Sequence, residues 1–169
     1  YHFDAAGVVL FHLRGRKRVF VYPGDEQHLP ERCMEQVVAR QTTEELPYDM
    51  AFEADARVLD LAPGQALTWP VYAPHRVENL DAFCVSLSMD FQTWPSRLRT
   101  GALYTNAVLR SRGGAPHSTE AMGLPELAAR WAASVALRRT GVLKSRLADF
   151  TRDFEPVVGA PDGAQPLQA

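Results

Sequence analysis

Two side chains at the start of the chain, in the run His2-Phe3-Asp4, have the types and the spacing to hold a metal ion. On an extended strand residues i and i+2 project from one face, so this imidazole and this carboxylate can reach the same ion. A second, distant histidine completes a two-histidine, one-carboxylate triad, which leaves coordination positions open on iron(II) for chemistry. The pair alone is a common pattern in a chain with five His and 20 Asp+Glu. Of the remaining histidines, His75 follows Pro70 and Pro74, which stiffen the chain before it. His12 shares parity with His2 but reads first as a structural histidine with its hydrogen bonds satisfied. His28 and His117 fall in loops and are expected to be solvated. Lys17 lies between Arg16 and Arg18 and, taken alone, is a solvated strand charge.

The elements that must position these groups are strands in the first half. Val8–Leu13 ends at Arg14-Gly15, and Lys17–Tyr22 ends at Pro23-Gly24; the spacing predicts a hairpin of two strands. Pro30 and the spacing of Met34, Val37, Val38 and Gln41 predict a short inserted helix. Strand character resumes over 57–61, turns at Ala62-Pro63-Gly64-Gln65 and continues over 66–70. Over 83–91 the odd positions are large and apolar and the even ones small or polar. Either the apolar set faces the core, or Ser86 and Ser88 line a lumen that leaves room for a ligand. After Phe91 the pattern turns helical, with helices expected near 93–111 and 125–139. Their shared apolar stripe is expected to be Trp94, Leu98, Leu127, Trp131 and Val135, and Val142–Phe154 is a candidate third helix. Tyr22 and Trp69 read as core or pocket walls, and Cys84 as a packed thiol.

Composition bounds the function. The 169 residues carry 18 Lys+Arg and 20 Asp+Glu, a net charge of −2, with 46% hydrophobic residues, which fits a globular domain rather than a nucleic-acid-binding chain. No apolar stretch approaches the ~20 residues needed to cross a bilayer, so no membrane partner is expected. Two cysteines cannot build a disulfide framework, and a cytoplasmic location is the expectation. Residues 1–91 hold 8 basic and 14 acidic side chains, whereas 92–152 hold 10 basic and 3 acidic ones. Such a shift suggests two layers with different roles. Residues 1–91 form the barrel core, 92–155 a helical region and 156–169 a disordered tail. The chain opens at Tyr1, inside the motif, and is read as lacking an N-terminal part.

The stretch Gly64 to Asn79 resembles the second cupin motif, with Gly64, Pro70, His75 and Asn79 each in place and Tyr72 standing where cupins usually have Gly. The stretch His2-Phe3-Asp4 … Leu13-Arg14-Gly15-Arg16-Lys17 resembles the Jumonji C branch of iron(II)- and 2-oxoglutarate-dependent oxygenases. Within it the resemblance is closest to the asparaginyl hydroxylase of hypoxia signalling and to bacterial cupin-like proteins of that type. The likeness runs from His2 to about Arg112. It implies a mainly β fold with C-terminal helices, built as a double-stranded β-helix (a cupin or jelly-roll barrel). It implies iron(II) on His2, Asp4 and His75, with 2-oxoglutarate as co-substrate, its far carboxylate on Lys17, and O2 as oxidant. Val8 and Ser88 occupy positions where the asparaginyl hydroxylase carries polar amides near the co-substrate; Ser88 can still donate a hydrogen bond and Val8 cannot.

The expected activity is hydroxylation of a C–H bond on a protein side chain or a small molecule. A cupin-like ligand-binding or transcription-regulatory protein without turnover stays open, as does a metal-dependent isomerase or dioxygenase of the wider cupin group. A homodimer through the C-terminal helices is expected, with nucleic acid on the basic face as the competing partner.

Overall fold

The computed structural model describes residues 1–147 together with the backbone of two short strands in the tail. The strands are β1 (Gly7–Arg14), β2 (Lys17–Val21), β3 (Arg57–Leu61), β4 (Ala66–Thr68), β5 (His75–Asn79) and β6 (Val85–Phe91). The helices are α1 (Glu31–Val38), α2 (Trp94–Ser111) and α3 (Leu124–Thr140). Two further strands, β7 (Phe154–Pro156) and β8 (Ala164–Pro166), pair antiparallel: Phe154 and Glu155 fall in the region expected to be helical, Pro156 and β8 in the tail expected to be disordered, whose other residues lie outside the described ones. No helix among the described residues is long and apolar enough to cross a membrane.

The strands form two three-stranded antiparallel sheets, β4-β1-β6 and β3-β2-β5. They face each other across Leu10, Val19 and Leu61, with Val21, Leu67 and Trp69 packed alongside. This matches a mainly β, cupin-like arrangement with helices at its end. Among the described residues no ladder joins the two sheets, so the expected barrel is not closed.

The expected β1–β2 hairpin does not form. Each strand is the centre of a different sheet, with both hydrogen-bonding edges already taken. The chain crosses between sheets at Gly15, whose φ of 78° lies in the left-handed region. A Cβ there would sit 2.6 Å from both Cys84 Sγ and the Phe83 carbonyl oxygen. A turn of two or three residues looks the same in sequence whether the chain folds back or crosses over.

Strand β6 resolves the alternation in favour of the small polar residues. Ser86 and Ser88 stand opposite His12 and Leu10, on the face of β1 that is buried. The large set points away: Leu87 opposite Phe11, Met89 opposite Val9 and Phe91 opposite Gly7, with Leu87 58% and Met89 50% exposed. Contiguous apolar surface of this kind promotes association. In this chain, Leu87→Lys with Met89→Thr is expected to raise solubility and to change stability by no more than about 0.5 kcal/mol. A loss of several times that in chemical denaturation would show that the face is covered.

The helices follow their sequence signals closely. Thr93 and Ser96 form a capping box at the start of α2, and Gly141, with φ 62°, ends α3. Of the expected apolar stripe, Leu98, Leu127 and Trp131 are half-buried and the other two residues are not. Trp94 is 65% exposed and Val135 is exposed too, while α2 buries Ala102, Leu103, Tyr104 and Val108. The close approach of α3 is responsible: a Cβ on Gly101 would meet Trp131 at 2.7 Å, so the helices touch at the glycine. Residues 142–147 are not helical, Phe154 begins β7, and the rest of the candidate third helix lies outside the described residues.

Leu103 of α2 joins Phe3, Leu29, Met34, Leu46 and Tyr72 in one buried cluster. The helical layer therefore packs directly on the segment that carries His2 and Asp4.

Candidate metal centre

The segment 1–4 is held as a short extended piece between two others. His2 and His75 exchange both backbone hydrogen bonds, at 3.1 and 2.8 Å, and the Tyr72 N–H donates to the Asp4 carbonyl at 3.2 Å. On the other side the Leu46 N–H donates to the Tyr1 carbonyl at 3.0 Å. Directly opposed residues of an antiparallel pair project to the same face, so the His2 and His75 rings lie together, with centroids 4.3 Å apart. Asp4, two residues on, joins them: its Oδ2 is 3.3 Å from His75 Nε2. One ligand atom from each of His2, Asp4 and His75 lies within 4.8 Å of the others. Phe3 alternates to the opposite side and is 1% exposed in the helical core.

His75 is prepared to be a ligand. It is 2% exposed, and its Nδ1–H donates to the Ala73 carbonyl at 3.0 Å, which leaves the Nε2 lone pair facing the cluster. Burial is the largest influence on its pKa and pushes it below the ordinary 6.5; the bond to Ala73 opposes this and the neighbouring His2 adds to it. The ring is therefore neutral at neutral pH, the form that binds a metal. Trp69 packs on the same ring at 4.5 Å between centroids. Two nitrogens and one carboxylate oxygen fit iron(II) by donor chemistry, and among the described residues no fourth His, Cys, Asp or Glu joins the group.

Tyr72 explains the departure from the cupin pattern. Its φ is 69°, the left-handed region where glycine is preferred. The ring offsets that strain by filling a buried site, with its hydroxyl 2.9 Å from both the Ser96 carbonyl and Thr100 Oγ1. The Arg99 guanidinium lies 4.9 Å from the ring centroid. Tyr72→Phe is expected to cost about 1 kcal/mol in urea denaturation. Tyr72→Gly relaxes the backbone but empties the site, for a net loss of roughly 2–4 kcal/mol. A glycine variant more stable than the parent would show that strain dominates.

Lys17 takes the opposite side of β2 from its neighbours. Arg18 pairs with Asp60 at 2.6 Å, and Arg16, just before the strand, with Asp81 at 2.8 Å. Lys17 shares its face with Val19 and Val21, the face turned toward the other sheet, and has no ion-pair partner among the described residues. It stands opposite Asn79, while His75 stands opposite Val21. The lysine and the histidine are thus on one face, four residues apart along the strand, or roughly 13 Å between Cα atoms. Ser88 lies on the inner face of the other sheet, exposed, and Val8 on the same face is 3% exposed.

The other histidines divide. His12 is fully buried and satisfied: Nε2–H donates to the Gly15 carbonyl at 2.7 Å and Nδ1 accepts from Ser86 Oγ at 2.9 Å. His117 is an exposed residue beside Glu126. His28 is not the solvated loop residue expected from sequence. It is 3% exposed, with Nδ1 2.7 Å from Asp25 and Nε2 3.3 Å from Asp55. Its ring packs on Phe52 at 4.7 Å. Polar flanks concealed this burial, because the covering residues come from a segment more than twenty positions away. Cys84 precedes β6 and is half-buried, its thiol directed at the Arg16 carbonyl at 3.2 Å.

One residue escaped the sequence reading. Arg57 has the parity of Leu59 and Leu61 and thus falls on the inner side of β3, at its exposed first position. That parity was the available signal.

No family model and no curated protein matches this chain. Among solved structures it is similar to YcfD from Escherichia coli, with a TM-score of 0.38 and 21% identity over 93% of this chain and 43% of that one. A second structure of YcfD, described as a ribosomal oxygenase in complex with cobalt and succinic acid, gives 0.37 and 18%, over 96% and 43%. The chain spans less than half the length of these proteins. With scores this low, the reading of function rests on the site's own geometry.

Proposed function

We propose that this chain carries the metal- and co-substrate-binding core of an iron(II)- and 2-oxoglutarate-dependent oxygenase of the Jumonji C or cupin-like type. The convergence of His2, Asp4 and His75 carries the reading, since residues 71 positions apart present two nitrogens and a carboxylate to one point. When bound, iron(II) would activate O2, the oxidant, and 2-oxoglutarate would supply two of the four electrons that O2 takes up. One oxygen atom of O2 enters a substrate C–H bond, and the other enters succinate as CO2 leaves.

The chain's residues do the rest. The Ala73 carbonyl holds His75 in the tautomer that offers Nε2, and Phe3, buried behind the cluster, fixes the segment bearing His2 and Asp4. Lys17 offers its ammonium to the far carboxylate of the co-substrate. A cation suits that place because the co-substrate is a dianion whose near end is taken by the metal. Trp69 shields one side of His75 from water. Ser88 offers a hydroxyl from the facing sheet, where Val8 offers none.

Anaerobic titration of the protein with iron(II) and then 2-oxoglutarate tests this. The visible charge-transfer band of the metal–co-substrate chelate is the expected result; metal binding without the band on adding 2-oxoglutarate favours a wider cupin activity. As partner, the reading takes a second copy of the chain on the helical layer, where Trp94, Leu124 and Val135 are exposed. Sedimentation as a dimer in both low and high salt supports it, whereas a monomer that binds DNA only at low salt favours the phosphate-binding alternative.

A further inference from the structure

The β3-β2-β5 sheet sorts its basic residues by face. Those directed outward are committed: Arg18 to Asp60 at 2.6 Å, and Arg76 to Glu53 at 2.9 Å and also to Glu78. The two directed inward, Lys17 and Arg57, have no ion-pair partner among the described residues. The function proposed above uses Lys17 and leaves Arg57 without a role.

Arg57 stands opposite Val21, and Val21 stands opposite His75 on the other side of β2. The arginine therefore leaves the inner face two strands across from the candidate ligand, roughly 10 Å away between Cα atoms. There it lines a cleft of about 370 Å³ whose walls include Val21, Leu59, Leu67 and Trp69. Trp69 is the ring that packs on His75, so one side chain borders both the cleft and the metal centre.

Two of the cleft's other polar groups are occupied: Thr68 Oγ1 donates to the Val8 carbonyl at 2.7 Å and the Tyr22 hydroxyl to Glu53 at 2.6 Å. The third, the half-exposed Asp55 carboxylate, lies 3.3 Å from His28 Nε2 without a hydrogen bond to it. An apolar slot with one uncommitted guanidinium is complementary to a molecule with an apolar body and one anionic end. Its volume is at the small end of ligand sites, enough for an arylalkyl acid and too little for a folded partner.

Resting on the oxygenase reading, we propose that this cleft is the substrate site and that the substrate is a small carboxylic acid. Its carboxylate is held by Arg57 and its apolar carbons lie along Trp69 toward the metal centre.

The test is calorimetric titration of the metal-free 169-residue chain with 3-phenylpropionate and with its neutral amide, 3-phenylpropionamide. The acid is expected to bind at least about tenfold more tightly than the amide. Arg57→Gln is expected to abolish that preference and Arg57→Lys to keep part of it. Arg112→Gln, an exposed change at the far end of α2, is expected to leave it intact.

Three results would overturn the proposal. One is equal affinity for acid and amide, or no saturable binding of the acid. Another is a preference that survives Arg57→Gln. The third is displacement of the acid by 2-oxoglutarate through Arg57, which would make this the co-substrate's site. Because no metal is present, these outcomes are separate from the iron titration. A normal charge-transfer band without acid binding overturns the substrate assignment alone, and acid binding without the band overturns the oxygenase reading alone.

Discussion

Under the proposed function, Lys17→Ala is expected to reduce 2-oxoglutarate decarboxylation by roughly a hundredfold or more while leaving metal affinity nearly unchanged, because it would delete the cation that pairs with the co-substrate's far carboxylate. Lys17 shares the inner face with His75 but lies four residues further along the strand, too far to touch the metal cluster. Removing it should therefore separate co-substrate binding from metal binding. Lys17→Arg is the informative companion: a planar fork in place of a compact ammonium is expected to restore only part of the turnover. Metal binding is measured by titration, and turnover by release of CO2 with succinate formation. Unchanged turnover in the alanine variant would remove 2-oxoglutarate from the account and leave the centre to a wider cupin chemistry.

The second large effect concerns Phe3, which sits between two candidate ligands and touches neither the metal nor the co-substrate. Its ring is 1% exposed in a cluster with Met34 of α1, Leu103 of α2 and Tyr72. Phe3→Ala is expected to cost about 3–5 kcal/mol, the range for emptying a buried aromatic site. It is also expected to weaken metal binding, since the ring is the anchor that keeps His2 and Asp4 on one side of an extended segment. Phe3→Leu retains most of the volume and is expected to recover most of both. Chemical denaturation of the metal-free protein reports the first effect, and metal affinity at a temperature where the variant is folded reports the second. A full loss of stability with normal metal affinity in the folded variant would show that the backbone bonds to His75 position the ligands without the ring.

His2 and Asp4 were legible in the sequence because their relation is local. A period of two on an extended segment settles that their side chains point the same way, whatever the rest of the chain does. The helices were legible for the same reason: Thr93 and Ser96 cap α2, and Gly141 stops α3, through contacts within a few residues. Those signals were enough to pair His2 with Asp4 and to expect a mainly β core followed by helices, whereas His75 was named through the resemblance of Gly64 to Asn79 to the second cupin motif. Only the tertiary structure decided which segments became neighbours. It separated β1 from β2, because each had two better edges available elsewhere in the chain. It turned Leu87 and Met89 outward and Ser86 inward, because alternation defines two faces of a strand without saying which one meets the facing sheet. It buried His28 under residues from a distant segment, and it moved the contact between α2 and α3 to Gly101, where the absence of a side chain lets Trp131 approach. It also left Arg57 uncommitted beside the cleft. Faces, caps and turns depend on neighbours along the chain, whereas pairing, burial and the meeting of His75 with His2 and Asp4 depend on which distant surfaces bury the most apolar area together.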